Sequence, residues 1–203
     1  MRQTGPNKIT SSRYSLLILS AGSAGLYLAS SLLIIHWFHG NSAAALFSHG
    51  LKPHYQVFSG LLAGLSAAAL VTFAIRRTPI SDILDDYAIL RMMKELRLKL
   101  FDRLQISLFA GFGEEILFRA ALQPILGIWF TSLLFVGLHG YFRFTSWIHI
   151  LFGAMMFCLS AGLGLLYEHS GLLAAMTAHA VYDFVMLQCN QSVFASKKDS
   201  GIR

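Results

Sequence analysis

Long apolar runs separated by short polar breaks dominate the chain. A helix that crosses a bilayer needs about 20 mostly apolar residues, and the second run carries Gly60 and Gly64, a spacing suited to close helix contact. The pattern predicts an all-α, polytopic membrane helical bundle of about six transmembrane helices, with a break at Gln123-Pro124 between the third and the fourth. The predicted spans are 14–38, 55–75, 104–121, 125–140, 147–167 and 171–186.

The longest polar segment, residues 76–103, predicts a different kind of element. Its apolar residues recur at close to helical spacing with basic residues between them, which is typical of an amphipathic helix lying on an anionic membrane surface. The apolar positions are Ile80, Ile83, Leu84, Tyr87, Leu90, Met93, Leu96 and Leu100. We therefore divide the chain into two N-terminal transmembrane helices without motifs (1–75), this interfacial helix (76–103), a transmembrane core (104–190) and a basic cytoplasmic tail (191–203).

Composition and charge favour a membrane location. Hydrophobic residues make up 55% of the chain and charged residues 13%, and the charged share is well below the roughly 25% of soluble proteins. The formal net charge is +6, but the basic residues lie between apolar runs rather than on one solvated face, which argues against nucleic acid as a partner. With the N-terminus inside, all Lys and Arg residues except Lys52 and Arg119 fall on the inner side. The positive-inside rule then predicts an integral, multi-pass protein with both termini cytoplasmic.

The third predicted span contains ionisable residues, which are rare inside a bilayer and persist mainly where pairing or function needs them. Glu114 and Glu115 are adjacent, so a helix points them about 100° apart. Arg119 follows Glu115 by one helical turn, the favourable orientation for an ion pair. Glu114 then faces elsewhere without a neutralising partner, as suits a general base. A purely structural ion pair is the alternative interpretation of this cluster.

Two later spans add further polar groups. His139 lies near the end of the fourth span, and His179 and Asp183 lie one turn apart on the sixth. That spacing puts both side chains on one face, so Asp183 can orient the imidazole or join it in a shared site. The rise along antiparallel helices places these groups and Glu114 in the middle-to-inner half of the bilayer. We expect one water-filled pocket that opens toward the cytoplasm.

Other histidines and aromatic residues have simpler explanations. His36, His39, His49 and His54 cluster around the first outer loop with irregular spacing, which favours interfacial histidines over a metal site. His149 stands alone near the start of the fifth span and is expected to make a satisfied polar contact. Aromatic residues near the span ends, Tyr141 among them, are expected to anchor the helices at the interface.

Three motifs occur in order, each within a hydrophobic span, and together they resemble the CPBP family of CAAX proteases and bacteriocin-processing enzymes. The flanking sequence 163–168 and the Ser170-Gly171 pair are similar to that family too. The resemblance covers about residues 100–190. The motifs are Glu114-Glu115-x-x-x-Arg119, Phe135-x-x-x-His139 and His179-x-x-x-Asp183.

The resemblance implies an intramembrane endopeptidase whose catalytic residues include Glu114, Glu115, His139, His179 and Asp183. Glu114 and His139 would activate a water. His179 and the residue at 183 would stabilise the oxyanion, while Glu115 with Arg119, supported by Phe135, would hold the helix. The substrate would be a membrane-anchored or C-terminally lipidated peptide or protein.

Position 183 departs from the family, in which this residue is often Asn. An ionised Asp183 cannot donate a hydrogen bond to an oxyanion. Asp183 is therefore protonated, or it only orients His179, or the site is that of a metalloprotease. In the last case His139, His179 and Asp183 would hold Zn²⁺ with Glu114 as base. We favour the glutamate-type mechanism without a cofactor.

Two other functions remain to be weighed against the protease. A membrane scaffold or bacteriocin-immunity-type protein could keep the same fold without proteolysis, but the chain retains the whole set of polar positions. A proton-coupled transporter would also bury Glu and His residues. The sequence lacks the paired repeats that many transporters have.

Overall fold

The computed structural model describes residues 6–40, 45–88, 90–91 and 98–199, and within them the secondary structure is entirely helical. A π-helical turn (Ile35–His39) extends α1, a 3₁₀ turn (Leu84–Asp86) follows α4, and a π-helical segment (Ile116–Leu122) joins α5 to α6. The helices are α1 (Pro6–Ile34), α2 (Ala45–Ser48), α3 (Pro53–Arg77), α4 (Ile80–Ile83), α5 (Leu100–Glu115), α6 (Gln123–Leu138), α7 (Trp147–Ser170) and α8 (Leu172–Asp199).

Five helical stretches of the described residues are long and apolar enough to cross a membrane. Their outward faces carry large apolar side chains, such as Ile18, Leu70 and Phe130, that are 73%, 69% and 70% exposed. Contact of such side chains with lipid costs no hydrophobic free energy, whereas their exposure to water is unfavourable. The prediction of an all-α polytopic bundle is confirmed. The five stretches are Arg13–Phe38, Pro53–Arg77, Leu100–Leu138, Trp147–Ser170 and Leu172–Cys189.

The stretch Leu100–Leu138 is folded back on itself rather than straight. Gly127 has φ 73° and ψ 167°, a conformation that interrupts α6 and that favours glycine. The rings of Phe118 and Phe135, which a straight helix would separate by roughly 25 Å, lie 4.9 Å apart. The chain therefore turns at Gly127 and not at Gln123-Pro124. The returning part, 128–138, rises only about 16 Å, so the fourth span is shorter than the sequence predicted.

Small residues allow the helices that carry the motifs to pack at backbone distance. A methyl group added at Gly60 or at Gly64 would lie 2.5 Å from a backbone oxygen of α8, so the predicted close contact of this pair is confirmed. Gly111 of α5 meets α8 in the same way. A methyl group there would lie 2.8 Å from the backbone nitrogen of Ala180 and the backbone oxygen of Met176.

The segment 76–103 differs from the single amphipathic helix that its spacing predicted. α3 ends at Arg77, Thr78 is extended at φ −129° and ψ 162°, and α4 starts only at Ile80. The cause is Pro79, because the residue before a proline is excluded from helical geometry. Three apolar side chains of this segment lie inside the protein: Ile80, Ile83 and Tyr87 pack with Val136, Phe152 and Met156. Residues 89 and 92–97 lie outside the described part.

An ion pair joins α1 to the start of α5. The guanidinium of Arg13 donates to both carboxylate oxygens of Asp102, with Nη2 2.6 Å from Oδ1. The same carboxylate accepts the backbone N–H of Lys99 at 2.7 Å and so caps α5. This contact fixes where α5 begins, and the motif residues follow three turns later.

We predict that Gly111→Ala lowers the thermal stability of the protein in detergent micelles, because the new methyl group must separate α5 from α8. Overpacking of this kind costs about 1–3 kcal/mol. Gly22→Ala in α1 is the matched control, since nothing lies within 4 Å of an added methyl group there. Equal melting temperatures for Gly111→Ala and Gly22→Ala would contradict the close contact.

Candidate functional site

The two adjacent carboxylates of α5 have different surroundings. Glu115 is completely buried, and its Oε2 accepts a hydrogen bond from Nε of Arg119 at 3.0 Å. Arg119 is also completely buried. The ion pair predicted from the four-residue spacing is therefore present, and it leaves Glu114 without a guanidinium.

Arg119 ties three elements together. Its Nη2 donates to Oγ of Ser160 on α7 at 2.9 Å, and its Nη1 lies 3.5 Å from Oε1 of Gln123. Gln123 in turn donates to the backbone oxygen of Gly164 at 3.1 Å. Because each guanidinium nitrogen has a partner, the arginine holds one orientation, and Glu115 is fixed with it.

Glu115 also orients the histidine of α8. Its Oε1 accepts a hydrogen bond from Nδ1 of His179 at 2.8 Å. Asp183 does not reach that nitrogen, and its Oδ2 lies 3.6 Å from Nε2 of the same ring. Of the two roles predicted for Asp183, orienting His179 belongs to Glu115 instead, while Asp183 shares the space in front of the imidazole.

Glu114 faces both histidines. Its Oε2 lies 3.4 Å from Nε2 of His139 and 3.9 Å from Nε2 of His179. This oxygen is buried and makes no hydrogen bond to any of the described residues. An unsatisfied buried carboxylate oxygen is costly, so the gap suits a water or a substrate group placed between the three side chains.

The end of α6 explains the position of His139. Gly140 adopts φ 69°, its N–H donates to Gly137 at 3.0 Å, and the N–H of Tyr141 donates to Val136 at 3.1 Å. These are the bonds of a Schellman motif, which turns the chain sharply at a C-terminal glycine. Nδ1 of His139 donates to a backbone oxygen of α6 at 2.8 Å, so Nε2 is left facing Glu114.

Phe135 lies among the residues of the site. Its ring stacks on His139 with centroids 4.2 Å apart and meets His179 edge-on at 6.0 Å. The guanidinium carbon of Arg119 lies 5.8 Å from the centre of the same ring. One aromatic side chain therefore contacts both histidines and the arginine. Its apolar faces exclude water from the buried side of the site.

The predicted zinc alternative has no support in the geometry. Among the residues that the structure describes, no group of three His, Cys, Asp or Glu side chains is placed to hold a metal ion. His139 and His179 instead face Glu114. Asp183 lies beyond hydrogen-bond distance of the nearest imidazole nitrogen.

The isolated His149 makes the satisfied polar contact that was predicted. Its ring nitrogens lie 2.8 Å from Oγ of Ser146 and 3.1 Å from Oδ2 of Asp86. Of the histidines around the first outer loop, the ring of His49 lies 3.3 Å from the backbone oxygen of Glu168. The side chain of His39 lies outside the described part.

Three residues of the site had no role in the sequence prediction. Ser160 and Gln123 bind Arg119, and nothing in the sequence marks either of them because polar residues of this kind are common in membrane helices. Tyr141 was expected to anchor a helix at the interface, but its ring stacks on His139 at 5.7 Å. The glycine between the two residues was the available signal, because a glycine at a helix end folds the next residue back.

An apolar cavity of about 240 Å³ lies beside the site. Tyr141, whose ring stacks on His139, forms part of its wall. The remaining wall comes mainly from Leu133, Phe142, Phe144, Gly153 and Phe157.

Comparison with known proteins finds a family similarity over part of the chain. Residues 97–185 match the family model described as Type II CAAX prenyl endopeptidase Rce1-like. Over these residues the chain is similar to the CAAX-type intramembrane proteases, in agreement with the CPBP resemblance of its motifs. The matched range contains all the motif residues, and the family is one of peptide-bond hydrolases.

The comparisons with a curated relative and with solved structures say less about the function. The chain is 43% identical over 82 residues to the uncharacterized protein YpbD of Bacillus subtilis (strain 168). That similarity covers 39% of this chain and 41% of the length of the relative. No solved structure gives a significant match.

We predict that Arg119→Met destabilises the folded protein strongly, because Glu115 then remains buried without its partner. Breaking a buried ion pair in this way costs about 3–5 kcal/mol. Ser160→Ala is the matched control. It removes one hydrogen bond of the same guanidinium, worth roughly 1 kcal/mol in a membrane protein. Chemical unfolding in micelles measures the unfolding free energy of both variants. Equal losses of stability in Arg119→Met and Ser160→Ala would contradict the pairing of Arg119 with Glu115.

Proposed function

We propose that the protein is an intramembrane endopeptidase of the glutamate type, which hydrolyses a peptide bond with a water activated by Glu114. One observation carries the proposal. Glu114 has a buried carboxylate oxygen without a hydrogen-bond partner in the described residues, and that oxygen faces Nε2 of two histidines. A general base needs such a free oxygen within reach of a water.

The reaction requires only water and the peptide. Glu114 takes a proton from a water held between its Oε2 and Nε2 of His139. The water oxygen bonds to the scissile carbonyl carbon, and an electron pair moves onto the carbonyl oxygen. The carbon–nitrogen bond then breaks, and the leaving nitrogen takes the proton that Glu114 received. The products are a carboxylic acid and an amine.

His179 supplies electrostatic stabilisation of the intermediate. When protonated, His179 donates from Nε2 as well as from Nδ1, and Glu115 already occupies Nδ1. Donors aimed at the developing oxyanion are usually the largest single contribution to acyl-transfer catalysis. Oδ2 of Asp183 lies 3.6 Å from the same Nε2.

The surroundings of the site support an apolar, membrane-held substrate. The cavity beside Tyr141 is almost wholly apolar in its lining. A membrane-anchored or C-terminally lipidated peptide could bind at the site while its apolar part stays in the bilayer. With both termini cytoplasmic, the site would open toward the inner leaflet. The basic residues on that side would contact anionic lipid headgroups.

We predict that Glu114→Gln abolishes cleavage of membrane-anchored test peptides by the purified protein. The amide keeps the shape of the side chain but cannot accept a proton, and loss of a general base lowers kcat/KM by about 10²–10⁴-fold. Asp82→Asn is the control, since Asp82 is an exposed acid of α4 outside the site.

Two outcomes would count against the proposal. Full cleavage by Glu114→Gln would remove Glu114 as the base. Undiminished cellular function of Glu114→Gln, in cells that need the intact chain, would favour a non-proteolytic scaffold or immunity-type protein with the same fold.

We also predict that a metal chelator leaves the cleavage rate of the purified protein unchanged, because the proposed reaction uses only a water, Glu114 and the two histidines. The measurement compares initial rates before chelation, after chelation and after addition of Zn²⁺. A rate lost on chelation and restored by Zn²⁺ would replace the glutamate-type mechanism with a zinc site at His139, His179 and Asp183.

A further inference from the structure

Asp183 leaves the proposed oxyanion pocket short of a donor. A carboxylate only accepts hydrogen bonds when ionised, and the acidic side chains around the site, Glu114, Glu115 and Asp183, are all acceptors in that form. Nδ1 of His179 is occupied by Glu115. On His179 this leaves Nε2 as the donor for the developing charge.

Tyr141 is held in a position where it can supply the second donor. The Schellman turn at Gly140 folds Tyr141 back over the end of α6. Its ring then lies nearly parallel to His139, with centroids 5.7 Å apart and an angle of 17°. Stacking against the histidine that faces Glu114 keeps the tyrosine beside the reacting groups.

Two more aromatic contacts fix the ring. Phe152 of α7 meets Tyr141 at 90° with centroids 5.6 Å apart, and Tyr87 meets it at 64° and 5.9 Å. Edge-on pairs of this kind are favourable and directional. A ring held on three sides has little freedom, so its hydroxyl is pre-organised in the sense that oxyanion stabilisation requires.

The protonation state of the hydroxyl suits a donor. Burial raises the pKa of Tyr141 well above its usual value, and the negative charges of Asp183 and Glu114 raise it further. The O–H therefore stays intact across the physiological range.

We propose, resting on the proteolytic function above, that the Tyr141 hydroxyl donates a hydrogen bond to the oxyanion of the tetrahedral intermediate. An asparagine at position 183 would supply such a donor through its amide. This makes Tyr141 a catalytic residue outside the three motifs.

The test is a comparison of Tyr141→Phe with the intact protein on a membrane-anchored test peptide. The phenylalanine keeps the ring contacts with His139, Tyr87 and Phe152 and removes only the donor. We expect kcat to fall by about 10²–10³-fold with little change in KM. Tyr167→Phe is the matched control, because Tyr167 packs at the other end of α7 near His49. Equal melting temperatures of the variants exclude a folding effect.

A second variant restores a donor by another route. In the double variant Tyr141→Phe/Asp183→Asn, the amide of the new asparagine can donate to the oxyanion, and we expect part of the lost kcat to return. Recovery in this background would support the donor role, and its absence would overturn it.

Each remaining outcome separates the two proposals. A Tyr141→Phe variant with the kcat of the intact protein, alongside an inactive Glu114→Gln, would overturn the role of Tyr141 and leave the protease intact. A shift of the acid limb of the pH profile with an unchanged maximal rate would mean that Tyr141 acts on the carboxylates, which also overturns the proposal. An intact protein that cleaves no membrane-anchored peptide would overturn both.

Discussion

The buried pair of Glu115 and Arg119 is the interaction on which the rest of the site depends. A bilayer tolerates ionisable groups only where each finds a partner, and here one guanidinium satisfies Glu115, Ser160 and Gln123 at once. Glu115 uses its second oxygen to hold His179. The pair thus joins α5, α7 and α8. It also gives the two adjacent glutamates different surroundings, because Arg119 neutralises Glu115 and does not pair with Glu114.

Backbone geometry brings the other groups to Glu114. The turn at Gly127 returns the chain after α5, so the short helix 128–138 ends beside the carboxylate instead of crossing the bilayer. The turn at Gly140 then stops that helix at His139. Close contact at Gly111 lets α8 approach α5 and carry His179 to the same place. Three glycines with distinct roles therefore define the site as much as its charged residues do.

The sequence was sufficient for the helical class, the position of most spans and the group of polar residues that meet. Apolar length and four-residue spacing are local properties, and they were enough for the pairing of Glu115 with Arg119. The contact of Glu115 with His179 could not be predicted, because it joins helices that are distant in sequence. The burial of Ile80 and Tyr87 was missed for a similar reason: helical spacing does not tell whether an apolar face meets lipid or protein. The position of Tyr141 could have been predicted, because the preceding Gly140 at a helix end indicates that the next residue folds back.

The central claim is that Glu115 stabilises the fold as the partner of Arg119, whereas Glu114 has no guanidinium partner and acts as the general base. The unfolding free energies of Glu114→Gln and Glu115→Gln, measured side by side in the same micelles, test it most directly. Loss of the Glu115 charge leaves Arg119 buried alone and is expected to cost about 3–5 kcal/mol. Oε2 of Glu114 faces two imidazole nitrogens at 3.4 and 3.9 Å and accepts no hydrogen bond from the described residues, so Glu114→Gln is expected to lose far less stability than Glu115→Gln. A Glu114→Gln variant that loses as much stability as Glu115→Gln would contradict the account.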